Sequence, residues 1–384
     1  MSTDWLSEAQ GIAGEIEGLR RAFHRRPELG NREYETAARV EETLKGCGIA
    51  ARRLLDTAVI GRLEGALPGR TAALRADMDA LPLTEATGAD FASQNPGVMH
   101  ACGHDVHLAA ALGAAKLLAA RRERLPGSVV FLFQPDEEGD GGAERLIDAG
   151  ALDGVDAVFG AHVSPDLPAG CAGVRFGKFY AASDMFRVAV HGRSAHGAER
   201  EKGLDALAAA AQMVGDVLAL PGRLPEGERG VVSVGTFRSG TAGNIVADAA
   251  EFTGIIRTLG PRARAMLRGG FEAAVRSVAR RYGAEVECIV KESYPGVVND
   301  NAITALARRA MAALLGADRV YEIAEPTMTT EDFGYYLMKR PGSYYHVGAG
   351  CGLPVHNPGF LPDEGAAVTA AAVHAAVLWT FLTE

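Results

Sequence analysis

Residues 183–295 differ in their pattern of β-rich and helical segments from the chain on either side of them. Within this block the order is β-α-β-β-α-β, the arrangement of a ferredoxin-like domain. On both sides, short β-rich runs alternate with helical stretches, which predicts an α/β fold with a mixed sheet. Single cores stop growing at roughly 250–300 residues, and this chain has 384. We therefore expect a discontinuous domain, 1–182 plus 296–384, with a compact domain, 183–295, inserted into it.

The net charge and the cysteine pattern indicate which classes of binding partner and which cellular compartment to expect. The chain carries 39 Lys and Arg against 48 Asp and Glu, a net charge of −9, without a block of basic residues. Nucleic acids and anionic membranes bind clustered positive charge, so neither is an expected partner. The five cysteines lack the spacing of a disulfide framework, and the first ten residues lack an apolar secretory segment. We expect a soluble cytoplasmic protein.

Polar residues follow three of the predicted strands at the point where each strand ends. Asp77 and Asp79 follow the first, Glu137 and Glu138 follow the second, and His162 ends the third. In open α/β sheets, ligands bind beyond the carboxyl ends of the strands. The sequence therefore predicts a binding site at this edge of the sheet.

The segment HACGHDVH, residues 100–107, is the densest cluster of potential metal ligands. It places three histidines, a thiol and a carboxylate within eight positions. Cys102 and His104 are two positions apart, a spacing that can direct both side chains to one point. The alternative is a buried cysteine beside partly exposed histidines. We favour a metal site for the cluster as a whole.

A second cluster, QPDEEGDGG at 134–142, follows the apolar run VVFLF and should emerge at the end of a buried strand. Two adjacent acids, Glu137 and Glu138, cannot both face the same way. One can bind metal while its neighbour points to a bound water and acts as general base. The alternative is a solvated acidic loop that caps the following helix.

Two further histidines extend the set of possible ligands. His162 ends a predicted strand, and His356 lies in GLPVHNPGF after a glycine-rich loop. Either one alone is more often a structural histidine than a ligand. Together, however, one thiolate, three imidazoles and one carboxylate suit two divalent ions that share the thiolate. Such mixed donors do not select one element, so zinc, manganese, cobalt and nickel all remain open.

Other catalytic machinery is mostly missing from the sequence. It contains no G-x-S-x-G or H-E-x-x-H motif, no Walker sequence and no complete dinucleotide fingerprint. A cysteine-nucleophile amidase that uses Cys102 with a histidine is the rival enzyme class. A binding protein that holds metal or substrate without turnover is the rival outside enzymes.

As a whole, the chain resembles the co-catalytic metallopeptidase and amidohydrolase family that includes aminoacylases, hippurate hydrolases, indole-acetyl-amino-acid hydrolases and N-acyl-amino-acid carboxypeptidases. The resemblance extends almost from end to end. The matching segments are FHRRPELGNRE (23–33), RADMDALP (75–82), HACGHDVH, FQPDEEGDGGA, GAHV (160–163), GRSAHGA (192–198), GTAGNIVAD (240–248), GIIRT (254–258), TEDFGYY (330–336) and VHNPGF (355–360).

This resemblance implies a role for each residue of the metal site. Cys102 would bridge two metal ions, one held further by His104 and His162. Glu138 and His356 would hold the other ion. Glu137 matches the general base, and Asp77 matches a carboxylate that orients a ligand. Asp136 departs from the family pattern, which often has alanine there.

The resemblance also implies roles for the inserted domain. It would act as a lid and dimerisation domain, so a homodimer or larger homo-oligomer is expected. His196 would enter the active site, while Asn244 and Arg257 would contact the carboxylate of the substrate. Without the resemblance, these three residues would be interpreted as a loop cap, a turn residue and a surface charge. Glu199 and Arg200, where many relatives carry a proline, depart from the pattern near His196.

The expected activity is metal-dependent hydrolysis of the amide bond of N-acyl-L-amino acids, of the aminoacylase or hippurate-hydrolase type. The products would be a carboxylic acid and a free amino acid. A dipeptidase or carboxypeptidase, or an N-acetyl-diaminopimelate-type deacetylase, could use the same machinery. The sequence leaves the acyl group, the amino-acid side chain and the metal open.

Overall fold

A computed structural model of the protein describes residues 4–384. In chain order, the helices are α1 (Trp5–Gly11), α2 (Ala13–Arg25), α3 (Tyr34–Gly46), α4 (His104–Ala119), α5 (Ala143–Asp148), α6 (Ala206–Leu218), α7 (Pro261–Tyr282), α8 (Asn301–Leu315), α9 (Gly334–Lys339) and α10 (Gly365–Thr383). The strands are β1 (Ala50–Leu54), β2 (Ala58–Glu64), β3 (Leu67–Asp77), β4 (Pro126–Gln134), β5 (Ala157–Ser164), β6 (Ala172–Val174), β7 (Gly177–Tyr180), β8 (Ala182–His191), β9 (Gly230–Ser239), β10 (Ala249–Thr258), β11 (Glu285–Glu292), β12 (Val297–Asn299), β13 (Val320–Glu322) and β14 (Gly342–Gly348).

The described chain divides into two compact units. The mixed-sheet unit contains the residues up to 177 together with 298–324 and 332–384, and the four-stranded unit contains 178–297 and 325–331. The short segment 325–331 joins the second unit through its backbone: Thr327 donates to the carbonyl of Phe179 at 2.9 Å, and Ala181 donates to the carbonyl of Thr329 at 3.0 Å. The domain bounds expected from the sequence stay a prediction.

The mixed-sheet unit is built on eight strands in the order β1-β2-β4-β3-β5-β14-β6-β13. Strand β3 runs parallel to both β4 and β5, and β5 runs parallel to β14, whereas β2 is antiparallel to β4. The second half of β3, residues 71–77, and nearly all of β4 and β5 are buried, as expected where helices cover both faces of a sheet. The predicted α/β fold with a mixed sheet is confirmed.

Helices α4 and α10 lie in the core of the mixed-sheet unit. Both are apolar around most of their circumference and are buried along most of their length. Among residues 4–384, α10 is the one helix that is long and apolar enough to cross a bilayer, but most of it is buried in this core. Its composition is therefore accounted for by packing inside the protein.

The four-stranded unit has an antiparallel sheet in the order β11-β8-β10-β9. Its elements follow one another as β8-α6-β9-β10-α7-β11, so the predicted ferredoxin-like order is confirmed. Helices α6 and α7 share a core with the sheet, in which Phe186, Phe252 and Phe271 are buried. The Asp205 carboxylate caps the start of α6 by accepting from the N–H of Ala208 at 2.9 Å.

Candidate metal centre

Three parallel strands of the mixed-sheet unit end at one edge of the sheet. In the register of β3 and β4, Asp77 lies opposite Gln134, and both residues end their strands. His162 lies close to the carboxyl end of β5. The loops that leave this edge carry Glu137 and Cys102. The structure thus gathers the polar residues where the sequence predicted a binding site.

Cys102 forms one potential ligand group with two histidines. The Cys102 Sγ is 3.3 Å from the His162 Nε2, and a His104 ring nitrogen lies within 4.8 Å of both donor atoms. Cys102 and His104 are buried, with exposed fractions of 7% and 0%. One thiol and two imidazoles in such a small volume can bind a zinc-like ion.

Cys102 also belongs to a second potential ligand group, with Glu138 and His356. The His356 Nε2 is 3.1 Å from the Glu138 Oε1. The backbone N–H of His356 donates to the carbonyl of Ala101 at 2.8 Å, which ties its loop to the residue before the cysteine. His356 has a φ of 63°, a value that non-glycine residues rarely adopt. Because Cys102 is common to both groups, its sulfur occupies the place of a shared ligand.

The imidazoles of His104 and His162 each donate one ring N–H to a backbone carbonyl, as metal-binding histidines commonly do. The Nδ1 of His104 donates to the carbonyl of Asp79 at 2.8 Å, and the Nδ1 of His162 donates to the carbonyl of Val163 at 2.7 Å. In its neutral form, each ring therefore leaves Nε2 as the nitrogen that can bind a metal ion. Within residues 4–384, the buried Nε2 of His104 has no hydrogen-bond partner. A buried ring nitrogen without a hydrogen-bond partner, beside a thiol and carboxylates, fits a divalent cation that would take the place of its proton.

The carboxylates of Glu137 and Glu138 reach the same neighbourhood, although adjacent acids were expected to face apart. One oxygen of each lies within 4.8 Å of a His104 ring nitrogen and of the other. They can do so because they lie on a turn, where side chains do not alternate as they do in a strand. Both oxygens of Asp79 hold this turn, accepting from the N–H of Glu137 at 3.0 Å and of Glu138 at 2.9 Å.

Asp77 is fully buried below the ligand groups. It accepts from the Nδ1 of His107 at 2.6 Å and from Arg75, and its Oδ2 is 3.8 Å from the His104 Nε2. The other ring nitrogen of His107 accepts from the N–H of Val163 at 2.9 Å. Both His107 nitrogens therefore form hydrogen bonds within the protein. Neither is left to bind a metal ion, so this residue supports the site through Asp77 and Val163.

Burial and nearby charge determine the protonation of the site. Burial raises the pKa of the Cys102 thiol well above its ordinary value, and the carboxylates of Glu138 and Glu137 raise it further. Burial opposes the charged form of His104, but carboxylates, above all Asp77, outweigh this effect and raise its pKa to about 10. These surroundings suppress a free thiolate nucleophile. A divalent cation would supply the positive charge that a Cys102 thiolate needs.

The start of α4 is fixed on both sides of His104. Gly103 has a φ of 91°, and a Cβ there would lie 2.4 Å from a Val163 methyl group, so a side chain would collide with β5. The buried Asp105 carboxylate accepts from the Nε of Arg20 at 2.9 Å and from the Nδ1 of His24 at 2.9 Å. This ion-pair network anchors α4 to α2, and so holds the backbone that carries His104.

The remaining predicted site residues lie in the four-stranded unit. His196 is exposed and caps the turn that follows it, with its Nδ1 accepting from the N–H of Ala198 at 3.1 Å. Gly197 donates to the carbonyl of Asn244 at 2.8 Å, so the loops of His196 and Asn244 are paired. Arg257 is half-buried on β10, opposite Ser183 and Val231.

Asp79 and His107 have roles that the sequence did not reveal. The available signals were weak: Asp79 was one of several polar residues beyond β3, and His107 was one of three histidines in HACGHDVH. Asp79 and His107 accept hydrogen bonds from backbone N–H groups, which distinguishes their role from that of the proposed ligands. These contacts exist only in the folded chain.

Comparisons with known proteins identify the family. Residues 73–380 match the model of peptidase family M20/M25/M40. The chain is 38% identical over 368 residues to thermostable carboxypeptidase 1 of Saccharolobus solfataricus, covering 93% of each chain. It is 40% identical over 291 residues to the N-acyl-L-amino acid amidohydrolase of Geobacillus stearothermophilus, covering 75% of this chain and 79% of that one.

A solved structure agrees in fold over nearly the whole length. The crystal structure of the Bacillus subtilis YXEP protein, described as a dinuclear metal-binding peptidase of family M20, superposes with a TM-score of 0.86. The two chains are 34% identical, with 97% of this chain and 99% of that chain covered. The present chain therefore belongs to peptidase family M20/M25/M40, whose members are hydrolases acting on amide and peptide bonds.

Proposed function

We propose that the protein is a metal-dependent amidohydrolase that cleaves the amide bond of N-acyl-L-amino acids, releasing a carboxylic acid and a free amino acid. The observation that carries the proposal is the pair of ligand groups that share Cys102, with the carboxylate of Glu137 beside them. A hydrolase needs a place to activate water and a base to take its proton, and this arrangement supplies both.

We assign the ligands by their grouping. Cys102, His104 and His162 would hold one divalent ion, and Cys102, Glu138 and His356 the other. When bound, these ions would lower the pKa of a water molecule and polarise the carbonyl of the substrate. The nitrogen, sulfur and oxygen donors accommodate zinc, manganese, cobalt or nickel.

Glu137 is the proposed general base. It is 7% exposed, and the bond from its N–H to Asp79 fixes its backbone. Its carboxylate would take a proton from the attacking water and return it to the leaving amine, so that it ends the cycle unchanged. Asp77, held by Arg75 and His107, would keep the site's imidazoles oriented.

The four-stranded unit would supply the substrate contacts. His196 would stabilise the oxyanion that develops on the carbonyl oxygen. Asn244 and Arg257 would bind the free carboxylate of the amino-acid moiety, since a guanidinium can donate two parallel hydrogen bonds to a carboxylate. Two divalent ions outweigh the charge of one thiolate and one ligand carboxylate, so the pocket would attract an anionic substrate although the protein is acidic overall.

The proposal is tested with a panel of N-acetyl, N-benzoyl and indole-acetyl amino acids together with dipeptides and N-acetyl-diaminopimelate. Release of free amine is measured before chelation, after exhaustive chelation, and after addition of zinc, manganese, cobalt or nickel. We expect N-acyl amino acids to be the best substrates and hydrolysis to need the metal. Activity that survives chelation would favour the cysteine-nucleophile amidase, and turnover of dipeptides alone would favour a peptidase. Tight binding of an N-acyl amino acid without turnover would favour a binding protein.

Arg257→Ala tests the contact with the substrate carboxylate. We expect kcat/KM to fall by about 10- to 100-fold for an N-acyl amino acid, the scale of a charged hydrogen bond of about 1.5–3 kcal/mol. The corresponding N-acyl amino acid amide should lose far less. Arg187→Ala is the matched control, because Arg187 lies on the same sheet but pairs with Glu251 at its surface. Equal losses on the acid and the amide would remove the proposed contact.

We also propose that the four-stranded unit pairs with a second copy of itself. Strand β9 is an outer strand of its sheet, with Phe237 exposed, and Met185 and Ile289 are 55% and 53% exposed. An outer strand presents unpaired backbone groups, and exposed apolar side chains favour association. In such a dimer, His196 of one copy would serve the metal centre of the other.

Subunit mixing tests this arrangement. Glu137→Gln and His196→Ala proteins should each be nearly inactive, but a mixed dimer would contain one site with both groups intact. We expect activity to return after the two are mixed under conditions that exchange subunits, with exchange followed independently by mass or fluorescence. Exchange without recovered activity would mean that His196 acts within its own chain or not at all.

A further inference from the structure

The loop at residues 135–142, which carries Glu137 and Glu138, is fastened at both of its ends to one carboxylate. The Oδ2 of Asp332 accepts from the Nε2 of Gln134 at 2.7 Å, just before the loop. The same oxygen accepts from the N–H of Gly142 and of Ala143, each at 3.0 Å, where the loop ends and α5 begins. Asp332 lies in TEDFGYY and is fully buried.

The second oxygen of Asp332 connects this loop to the end of β3. The Oδ1 accepts from the Nη2 of Arg75 at 2.7 Å. Arg75 in turn donates through Nε to the Oε1 of Gln134 at 2.9 Å and through Nη1 to Asp77. Asp332 and Arg75 therefore link the loop that carries Glu137 to the carboxylate of Asp77.

Asp79 holds the middle of this loop through the N–H groups of Glu137 and Glu138, but the composition of the loop adds little rigidity of its own. Gly139, Gly141 and Gly142 make up three of its eight residues, and Gly141 and Asp136 have positive φ values of 88° and 59°. Its ends also approach closely, because a Cβ on Gly142 would lie 2.0 Å from the carbonyl oxygen of Pro135. A glycine-rich loop closed this tightly loses its shape unless its ends are held.

We propose that Asp332 is a positioning residue for the hydrolysis, holding the 135–142 loop so that Glu138 meets His356 and Glu137 faces the centre. The inference rests on the proposed function, because it assigns Asp332 to the placement of the proposed base and of one proposed ligand. Both oxygens of Asp332 accept hydrogen bonds, from Arg75 at one and from Gln134, Gly142 and Ala143 at the other, so we assign it neither the role of base nor that of ligand.

Asp332→Asn tests the proposal by an asymmetry between the two metal sites. The amide keeps the shape of the side chain but retains only one acceptor oxygen, so it can no longer accept from both Arg75 and the loop ends, and the link between them should break. The group of Cys102, Glu138 and His356 contains a loop residue, whereas the group of Cys102, His104 and His162 does not.

The experiment titrates the metal-depleted full-length protein with Co²⁺ by calorimetry. We expect the wild type to bind two ions, and Asp332→Asn to lose about 10- to 100-fold in affinity for one ion while the other changes by less than about threefold. The kcat on an N-acyl amino acid should fall at least tenfold with KM little changed. Asp300→Asn is the matched control, because Asp300 also caps a helix, accepting from the N–H of Ile303 at 2.9 Å on α8. This control should behave as wild type.

Equal weakening of both ions, or unchanged binding of both, would overturn the positioning role. If circular dichroism shows that Asp332→Asn does not fold, Gln134→Glu replaces it, because it removes the Nε2 donor to Asp332 while keeping an oxygen that accepts from Arg75. The same asymmetry is then required. Failure of the wild type to hydrolyse any N-acyl amino acid would count against the proposed function only, since the Co²⁺ titrations decide the role of Asp332 without turnover.

Discussion

Glu137→Gln protein is expected to bind two metal ions per chain and to lose about two to four orders of magnitude in kcat. Glutamine keeps the size and the hydrogen-bonding backbone of the residue, so the bond from its N–H to Asp79 should persist. What it loses is the basic oxygen that would accept the proton of the attacking water. Elemental analysis and initial rates on an N-acyl amino acid measure the two effects separately.

Glu138→Gln is the internal control, because it makes the same chemical change one residue away. The Oε1 of Glu138 lies 3.1 Å from His356 and belongs to a ligand group, so its amide should weaken metal binding at that group. Added metal should then recover part of the activity of Glu138→Gln but none of the activity of Glu137→Gln. If Glu137→Gln loses metal while Glu138→Gln keeps it, the two roles must be exchanged.

Much of the fold followed from patterns that are local in the sequence. Apolar runs within β3, β4 and β5 predicted buried strands, and the β-α-β-β-α-β order predicted the four-stranded unit. Because parallel strands end at one edge, residues as distant as Asp77 and His162 could be expected at one site. Local periodicity and a general rule of sheet geometry were enough to predict the two units and the edge of the sheet where the site lies.

The contacts that hold the site together could not be predicted in the same way. Asp79 accepts from backbone groups 58 and 59 residues away, and Asp332 accepts from one 190 residues away. A carboxylate that binds backbone N–H groups places no demand on the side chains of its partners, so no paired pattern marks it in the sequence. The left-handed backbone of Asp136 and His356 is equally hidden, since neither residue is glycine.

The assignment of residues 325–331 illustrates the same limit. This segment follows β13, far along the chain from β7, and its composition gives no reason to separate it from the mixed-sheet unit. Backbone hydrogen bonds to Phe179 and Ala181 place it in the four-stranded unit. Pairing of this kind depends on long-range approach of two strands, which hydrophobic periodicity does not encode.

Cys102→Ala should lose metal and activity together. Its sulfur is the one donor common to both ligand groups, so its removal leaves each group with two protein ligands. Two imidazoles, or one imidazole and one carboxylate, fall short of the three or more protein ligands typical of catalytic zinc sites. We expect fewer than one tightly bound ion per chain by elemental analysis after gel filtration, and hydrolysis reduced by at least three orders of magnitude.

Cys171→Ala is the matched control for this variant. Cys171 belongs to the same unit and has the same exposed fraction as Cys102, 7%, so the two substitutions remove similar buried volume. A general packing defect should lower the thermal stability of both variants, whereas loss of metal should be confined to Cys102→Ala. Retention of two ions by Cys102→Ala, with activity abolished, would contradict the shared-ligand role. The sulfur would then act on the substrate itself, as the cysteine-nucleophile alternative requires.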